Sequence, residues 1–330
     1  MNKPFQALIV NRQDDALTTE VKSIERDALP HVEEGRVVVR VHYSALNYKD
    51  ALGLSRAGAI LSRYPFIPGC EFVGTVVESD HADFNEGDEV IATGFGIGER
   101  HEGGYSEYAI VPANWLIKLP SGLSLRDAMA IGTPGLTAMF AIDELERAGI
   151  HPGQEVLVTG ATGGVGSFAV LLLHRLGYHV IASTGKADTH YLNTLGAETI
   201  LPRHELEGPV KPLATQRFDA AIDSVGGTTL ANILSQTRYE GAVTACGLVG
   251  GTDIPTTIYP FILRGVKLIG IDSVMQPLNR RQHAWERLDE LVNRDLLHQM
   301  IHEIPLHDVP RQAAAMMRSE LSGRTIVRLI

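Results

Sequence analysis

Cysteine is scarce in this chain. Two in 330 residues, Cys70 and Cys246, are too few for a disulfide framework or a four-cysteine zinc site, and they fit a reducing compartment such as the cytoplasm. Long apolar runs are missing as well. Nothing approaches the roughly 20 consecutive apolar residues of a membrane helix, and the opening MNKPFQALIVNRQ lacks the layout of a signal peptide. Positive charge is in deficit, with 29 Lys and Arg against 39 Asp and Glu and a formal net charge of −10. That balance argues against broad binding to nucleic acid or acidic membranes and leaves room only for a local basic pocket. Repeats, linkers and low-complexity segments are absent too. The length is comfortable for two domains.

What is present is organised around Glu155–Gly177, EVLVTGATGGVGSFAVLLLHRLG. Val156, Leu157 and Val158 form an apolar run short enough for a buried strand. Gly160, Gly163, Gly164 and Gly166 make a turn, and Val165, Ala169, Leu172 and Leu176 then recur at helical spacing. A glycine fingerprint carries meaning only in this strand–turn–helix context, where bare backbone lets a pyrophosphate approach the N–H groups and positive dipole end of a helix. The competing reading is a structural turn without a ligand.

Before that stretch, residues 1–125 read as all-β. Strands are expected at Val37–Val41, Phe72–Val77, Glu89–Ala92 and Tyr108–Val111, with Gly, Pro and Asp between them, which suggests a compact barrel. Ser124–Leu145 reads as helical, interrupted by Gly132-Thr133-Pro134-Gly135. After it strands and helices alternate: strands at Tyr178–Ala182, Thr199–Leu201, Phe218–Ile222, Ala242–Ala245 and, at the edge, Lys267–Ile271, with a helix from Asp188 to Leu195 stopped by Gly196. This is the pattern of a doubly wound parallel sheet. One amphipathic helix is expected over Arg280–Leu297, another over Arg311–Ser319, and a last strand over Thr325–Leu329.

The second strand of the alternating region bears on cofactor choice. Proteins that bind NAD carry a carboxylate about 20 residues beyond the glycines to hold the ribose hydroxyls. Here that place reads Ser183-Thr184-Gly185-Lys186, with Arg203 after the third strand. Hydroxyls, a glycine N–H and cations suit a 2′-phosphate, so NADPH is expected. Taken singly, Lys186 and Arg203 read equally well as solvated surface charges. No metal is expected, because zinc needs three or four convergent ligands, and Cys70 and Glu71 would face opposite ways on a strand. Cys70 reads as a small apolar filler. Asn47 and Tyr48, placed in a turn after a strand, are the chemical candidates. A phenol, with a reference pKa near 10, stays protonated and can donate a proton, and an Asn amide offers two donors and an acceptor. Without further context, Tyr48 reads as a core aromatic with a satisfied hydroxyl.

The segments LNYKDALG, IPGCEFVGTV, EGDEVIATG, GGYSEYAIV, IGTPGLTAM, VTGATGGVG, IDSVGG, CGLVGG, PFILRGVKLIGIDSV and GRTIVRL run the length of the chain. Together they resemble the medium-chain dehydrogenase/reductase superfamily. NYKDAL, FILR followed by GIDSVM, and LHRLGY followed by YLNTLGA resemble its zinc-free acryloyl-CoA reductase (NADPH) branch, which is quinone oxidoreductase-like. The resemblance implies a GroES-like β-barrel catalytic domain from residues 1–125 and 300–330, and a Rossmann NADPH-binding domain from 126–299. Zinc-dependent members carry a cysteine ligand where this chain has Asn47 and a histidine where it has Cys70, and their four-cysteine lobe is missing here. The implied reaction is NADPH-dependent reduction of the double bond of a short 2-enoyl-CoA. A quinone or activated-alkene reductase and a non-catalytic NADPH sensor stand as alternatives. Asn47 would stabilise charge on the thioester oxygen. Tyr48 would orient the nicotinamide or protonate the α-carbon. Thr162, Gly163, Gly164 and Val165 would cradle the pyrophosphate. Thr184, Gly185, Lys186 and Arg203 would hold the 2′-phosphate. Leu248, Ile262 and Ser273 would line the nicotinamide region, with Arg318 and Thr137 as further contacts. Arg56, Arg63, Arg280 and Arg281 are loose candidates for the phosphates of coenzyme A. A homodimer paired through the Lys267–Ile271 edge is expected.

Overall fold

A computed structural model describes residues 4–14, 16–29, 35–55, 60–187 and 189–330. The expected helix start at Asp188 and the cation Arg56 lie outside the described residues. The elements in chain order are β1 (Phe5–Gln13), β2 (Ala16–Ile24), β3 (Arg36–Leu46), α1 (Tyr48–Leu54), β4 (Glu71–Ser79), β5 (Glu89–Thr93), β6 (Tyr108–Pro112), β7 (Leu116–Lys118) and α2 (Leu125–Arg147). The alternating region follows with β8 (Glu155–Val158), α3 (Gly164–Arg175), β9 (His179–Thr184), α4 (His190–Leu195), β10 (Thr199–Pro202), β11 (Phe218–Asp223), α5 (Gly227–Gln236), β12 (Thr237–Ala245), α6 (Tyr259–Arg264) and β13 (Lys267–Gly270). The chain closes with α7 (Leu278–Leu291), α8 (Arg294–Met300), β14 (Ile301–Pro305), α9 (Val309–Met317) and β15 (Arg324–Arg328).

These elements gather into two compact units. The first comprises Met1–Thr133, Val274–Asp289 and Leu297–Ile330; the second comprises Pro134–Ser273 and Glu290–Leu296. In the first, strands pair in the order β14-β15-β3-β4-β5-β7, with β6 also on β3, beside a separate β1-β2 hairpin. Long β3 organises this sheet. Val37, Val39 and Val41 alternate into a core with Phe72, Val76, Val90 and Val111, as a half-buried strand requires. In the second unit, six parallel strands follow the order β10-β9-β8-β11-β12-β13. That is the 3-2-1-4-5-6 order of a classic doubly wound nucleotide-binding sheet, with β8 as its first strand. Such strands are covered on both faces and read as continuous apolar runs, and Val156, Leu157 and Val158 are wholly buried.

Three expectations need correction. Asn47 and Tyr48 do not sit in a turn: Tyr48 opens α1, and Asn47 is its cap. The single helix over Arg280–Leu297 is two. Val292 and Asn293 break it, Asn293 Oδ1 accepting the Leu296 N–H at 3.1 Å to start α8. Within α2 the interruption is one residue, Gly132, at φ 48° and ψ −157°, and Pro134 stands just inside the resumed helix where its missing N–H costs nothing. Residues 274–289 pack with the first unit, partly because Arg281 is buried there and donates to Thr93 Oγ1 at 2.8 Å and to the Val274 carbonyl at 2.7 Å.

Candidate functional site

The glycine turn leaves β8 at Gly160 (φ 57°) and enters α3 through Gly163. A methyl group built on Gly166 would lie 2.3 Å from the Gly160 carbonyl oxygen and 2.6 Å from the Ala161 Cα, so the turn folds directly onto the helix start. Thr162, Gly163, Gly164 and Val165 are partly or fully exposed where an anion would meet the helix N-terminus. The turn is braced from both sides. Ala161 N–H donates to the Ser183 carbonyl at 3.2 Å, and Ser167 Oγ, itself accepting from the Tyr191 hydroxyl at 3.0 Å, donates to the Ala161 carbonyl. Burial lifts the Tyr191 phenol to about 12.

Residues that the sequence reading missed join this turn to the next ones. Thr159 Oγ1 donates to Asp223 Oδ1 at 2.6 Å and accepts the Ser224 N–H, while Ser224 Oγ donates to the Thr159 carbonyl. Burial raises the Asp223 carboxyl above its ordinary range, and the Gly226 N–H donates to it at 2.7 Å. The turns after β11 and β12 are zipped backbone to backbone: Gly250 N–H donates to the Val225 carbonyl at 2.7 Å, and a methyl on Gly247 would lie 2.0 Å from the Ser224 carbonyl oxygen. The signal for these residues was the glycine density of IDSVGG and CGLVGG, which marks close backbone approach.

After β9, buried Thr184 accepts the Lys186 N–H through its hydroxyl at 3.1 Å. Arg203 lies over Gly185, since a methyl built there would be 3.1 Å from the guanidinium carbon. Arg203 Nε also pairs with Glu207 at 2.8 Å. Burial lowers the Lys186 ammonium. The fold therefore brings Thr184, Gly185, Lys186 and Arg203 together. Of the expected nicotinamide set, Leu248 and Ser273 follow the carboxyl ends of neighbouring strands β12 and β13, and Ile262 lies in α6, ahead of β13, with its side chain 65% exposed. Thr137 is buried in α2. A cavity of about 460 Å³ at the amino ends of β8 to β11 is lined by the Arg238–Glu155 and His179–Glu198 ion pairs and by none of the expected site residues.

In the first unit, Asn47 closes a capping box on α1: its side chain caps the Asp50 N–H and its own N–H donates to Asp50 Oδ2 at 2.9 Å. Asp50 is buried, and burial pushes its carboxyl up to about 6. The Asn47 amide is fully engaged. Its Nδ2 donates to Glu71 Oε1 at 2.6 Å and Cys70 Sγ at 3.3 Å, and its Oδ1 accepts from Arg324 Nη1 at 2.8 Å. The expected role as oxyanion donor would need a free N–H, and both amide N–H groups here meet protein acceptors. Cys70 and Glu71 do not diverge: Cys70 precedes β4, and both meet the Asn47 amide. Burial, with Asp50 and Glu71 nearby, pushes the Cys70 thiol well up. Tyr48 differs from both neighbours. It is 36% exposed, and among the described residues its hydroxyl has no protein partner, so it is not a satisfied core aromatic. Arg318 follows α9, which packs on α1, and its guanidinium pairs with Glu320 at 2.6 Å. Arg63 pairs with Glu102 while its side chain stays 47% exposed, whereas Arg281 is buried.

Among the described residues no group of three or more His, Cys, Asp or Glu side chains is arranged for a metal. One HxxxH spacing exists, His298 and His302, but α8 ends at Met300 between them and His298 bonds Asp127 at 2.8 Å.

Two family profiles match, "Alcohol dehydrogenase GroES-like domain" over residues 33–121 and "Zinc-binding dehydrogenase" over 164–294. The chain is 44% identical to the acrylyl-CoA reductase AcuI of Ruegeria pomeroyi, over 98% of each chain. Among solved structures, the yhdH oxidoreductase from Salmonella enterica in complex with NADP superposes with a TM-score of 0.95 at 49% identity, covering 98% of this chain and all of that one. The Bacillus subtilis protein yhfP, solved with NAD bound, superposes at 0.94 and 44% identity, covering 99% of each.

Proposed function

The chain belongs to the medium-chain dehydrogenase/reductase superfamily, and from that premise we propose that it reduces the C2=C3 bond of a short 2-enoyl-CoA, acryloyl-CoA to propionyl-CoA, with NADPH and without a metal. The observation that carries the cofactor reading is the loop after β9, where the Arg203 guanidinium lies over Gly185 beside Lys186. The substrate reading is supported by the likeness to the Ruegeria reductase along the whole chain. The bare backbone where Gly166 meets Gly160 fits a dinucleotide pyrophosphate.

When bound, NADPH supplies the hydride that the β-carbon of the thioester accepts. On this reading the second unit holds it: Thr162, Gly163, Gly164 and Val165 at the pyrophosphate, Thr184, Gly185, Lys186 and Arg203 at the 2′-phosphate, and Leu248 and Ser273 toward the nicotinamide. The first unit is the GroES-like catalytic domain. Its Tyr48 phenol, exposed and without a protein partner among the described residues, donates the proton that the α-carbon needs to complete propionyl-CoA. Asn47 holds the first turn of α1 and so places Tyr48. Asn47 and Cys70, standing where zinc-dependent members carry a cysteine and a histidine, support a metal-free reaction. The two free cysteines support residence in the cytoplasm. Outer strand β13, with Lys267, Leu268 and Gly270 exposed beside exposed Ile258, Ile262 and Leu263, supports a homodimer formed by joining two sheets edge to edge. Sedimentation of the full chain would report the dimer.

The test follows NADPH absorbance with acryloyl-CoA, crotonyl-CoA and a benzoquinone, each repeated with NADH. The expected order is acryloyl-CoA first, with NADPH well ahead of NADH. Faster turnover of the benzoquinone than of either thioester overturns the substrate assignment, and equal use of NADH overturns the cofactor assignment.

A further inference from the structure

We propose that Glu71 and Arg324 are positioning residues for the reaction: a buried ion pair seated in the break of α2 that fixes the Asn47 amide and, through it, the Tyr48 phenol. The proposal rests on the reading of Tyr48 given above. The pair is wholly enclosed, with Arg324 Nη2 3.0 Å from Glu71 Oε1 and side-chain exposures of 2% and 0%. Burying two charges is costly, and apolar residues of similar volume often serve stability as well or better. A pair kept in such a place therefore calls for a use other than stability.

The surroundings supply one. Gly132 interrupts α2 and leaves a helix end on each side. Arg324 Nε donates to the Ala130 carbonyl at 2.7 Å and Nη2 reaches the Met129 carbonyl at 3.4 Å, which places a cation at the carboxyl end of the first segment. Glu71 Oε2 accepts the Thr133 N–H at 2.5 Å, which places an anion at the start of the next. Each ion meets the end of the helix dipole that suits it. Gly132 must stay small, because a methyl there would lie 2.8 Å from Arg324 Nη2 and from both Glu71 oxygens. Held in this way, the two ions grip Asn47 at opposite ends of its amide. Arg324 only donates and the Glu71 carboxylate only accepts, so the amide has one permitted orientation; a flip would set donor against donor. The Asn47 backbone is meanwhile tied to Asp50 and, through its carbonyl, to the Ala51 N–H at 3.1 Å. The next residue is Tyr48. The chain of contact runs from helix ends, through charges, to an amide, to the neighbouring exposed Tyr48.

The experiment compares wild type with the double variant Glu71→Met/Arg324→Met, which removes both charges together and leaves neither ion stranded. Readouts are the melting temperature, kcat with acryloyl-CoA, KM for NADPH, and the ¹⁹F resonance of 3-fluorotyrosine at residue 48. The expected result is a melting temperature near that of wild type, an unchanged KM for NADPH, kcat lowered at least tenfold, and a shifted or broadened Tyr48 resonance. A folded double variant with kcat within twofold of wild type and an unchanged resonance overturns the proposal. Should the double variant fail to fold, Arg324→Lys, which keeps the charge and loses the planar fork, takes its place with the same readouts. If wild type does not turn over acryloyl-CoA, the substrate reading falls, and the fluorine resonance alone decides whether the pair holds Tyr48.

Discussion

Gly166→Ala is the sharpest test of the cofactor cradle. The added methyl would stand 2.3 Å from the Gly160 carbonyl oxygen and 2.6 Å from the Ala161 Cα, whereas side-chain carbons do not approach other atoms within 3.0 Å. The turn must therefore retreat by at least ~0.7 Å. Neither obstacle is a side chain that can swing aside, and the turn is pinned by the Ala161–Ser183, Gly163–Gly160 and Ser167–Ala161 hydrogen bonds. Overpacking of this kind costs about 1–3 kcal/mol of stability. Moving the turn also misaligns the N–H groups facing the pyrophosphate. One lost charge-assisted bond, worth about 1.5–3 kcal/mol, raises the NADPH Kd by roughly 10- to 150-fold. Gly163→Ala is a control for strain in the melt alone, since its methyl meets only the Gly160 oxygen at 3.2 Å, which a few tenths of an ångström relieves, while Gly163 itself belongs to the proposed cradle. A thermal melt on both variants reads the strain, and fluorescence titration of NADPH on Gly166→Ala reads the binding. Wild-type NADPH affinity in Gly166→Ala would refute the reasoning.

Other expectations follow from the same geometry. Tyr48→Phe should lower kcat with acryloyl-CoA by about 10²–10³ while the melting temperature holds, because the hydroxyl has no protein partner among the described residues; full turnover would remove Tyr48 from the chemistry. Lys186→Gln and Arg203→Gln should each raise KM for NADPH about tenfold or more and leave KM for NADH within about twofold, so an equal rise for both cofactors would contradict a 2′-phosphate site. Asp50 titrates near 6 in the fold against 3.8 ordinarily, chiefly through burial. The folded state thus holds that proton more tightly, and the resulting stabilisation is complete below about pH 3.8 and lost as pH rises through about 6. Relative to Asp50→Asn, wild-type stability should fall over that window by on the order of 3 kcal/mol, and parallel denaturation curves from pH 4 to 7 would exclude it. Dialysis against a strong chelator should leave turnover intact; loss restored by zinc would defeat the metal-free reading.

How much of this was legible beforehand depended on sequence distance. The parallel sheet was readable because each strand, turn and helix of a βαβ unit carries its own local pattern, and the glycines mark one turn outright. Arg203 could be linked to Thr184 for a similar reason: the parallel register sets Pro202 beside Thr184, so residues following neighbouring strands emerge together. The division of α7 from α8 escaped notice because apolar spacing carries on across Val292, and only the Asn293 cap reveals the stop. Helix α1 escaped because seven residues carry little periodicity, although Asn47 and Asp50 spell a capping box. The environment of Asn47 was out of reach altogether. Its partner Arg324 lies 277 residues away, and no local pattern announces that pairing. Glu71 heads the apolar run Phe72-Val73 and Arg324 opens the last strand, but their pairing needed three dimensions.

The zipped turns after β11 and β12 bear on how this protein can diverge. Surface turns are ordinarily where a lineage experiments, accepting insertions and bulky residues at small cost. These two do not have that freedom. Gly226, Gly227 and Gly247 each face the backbone of the opposite turn at less than 3 Å from any added methyl, and Ser224 fills the remaining space beneath Gly160. A single change in one turn displaces the other, and through Thr159 and Asp223 the glycine cradle as well. Substitutions there should behave as core mutations do, appearing in correlated sets or not at all, and descendants with new substrates should keep this wall and vary the first unit.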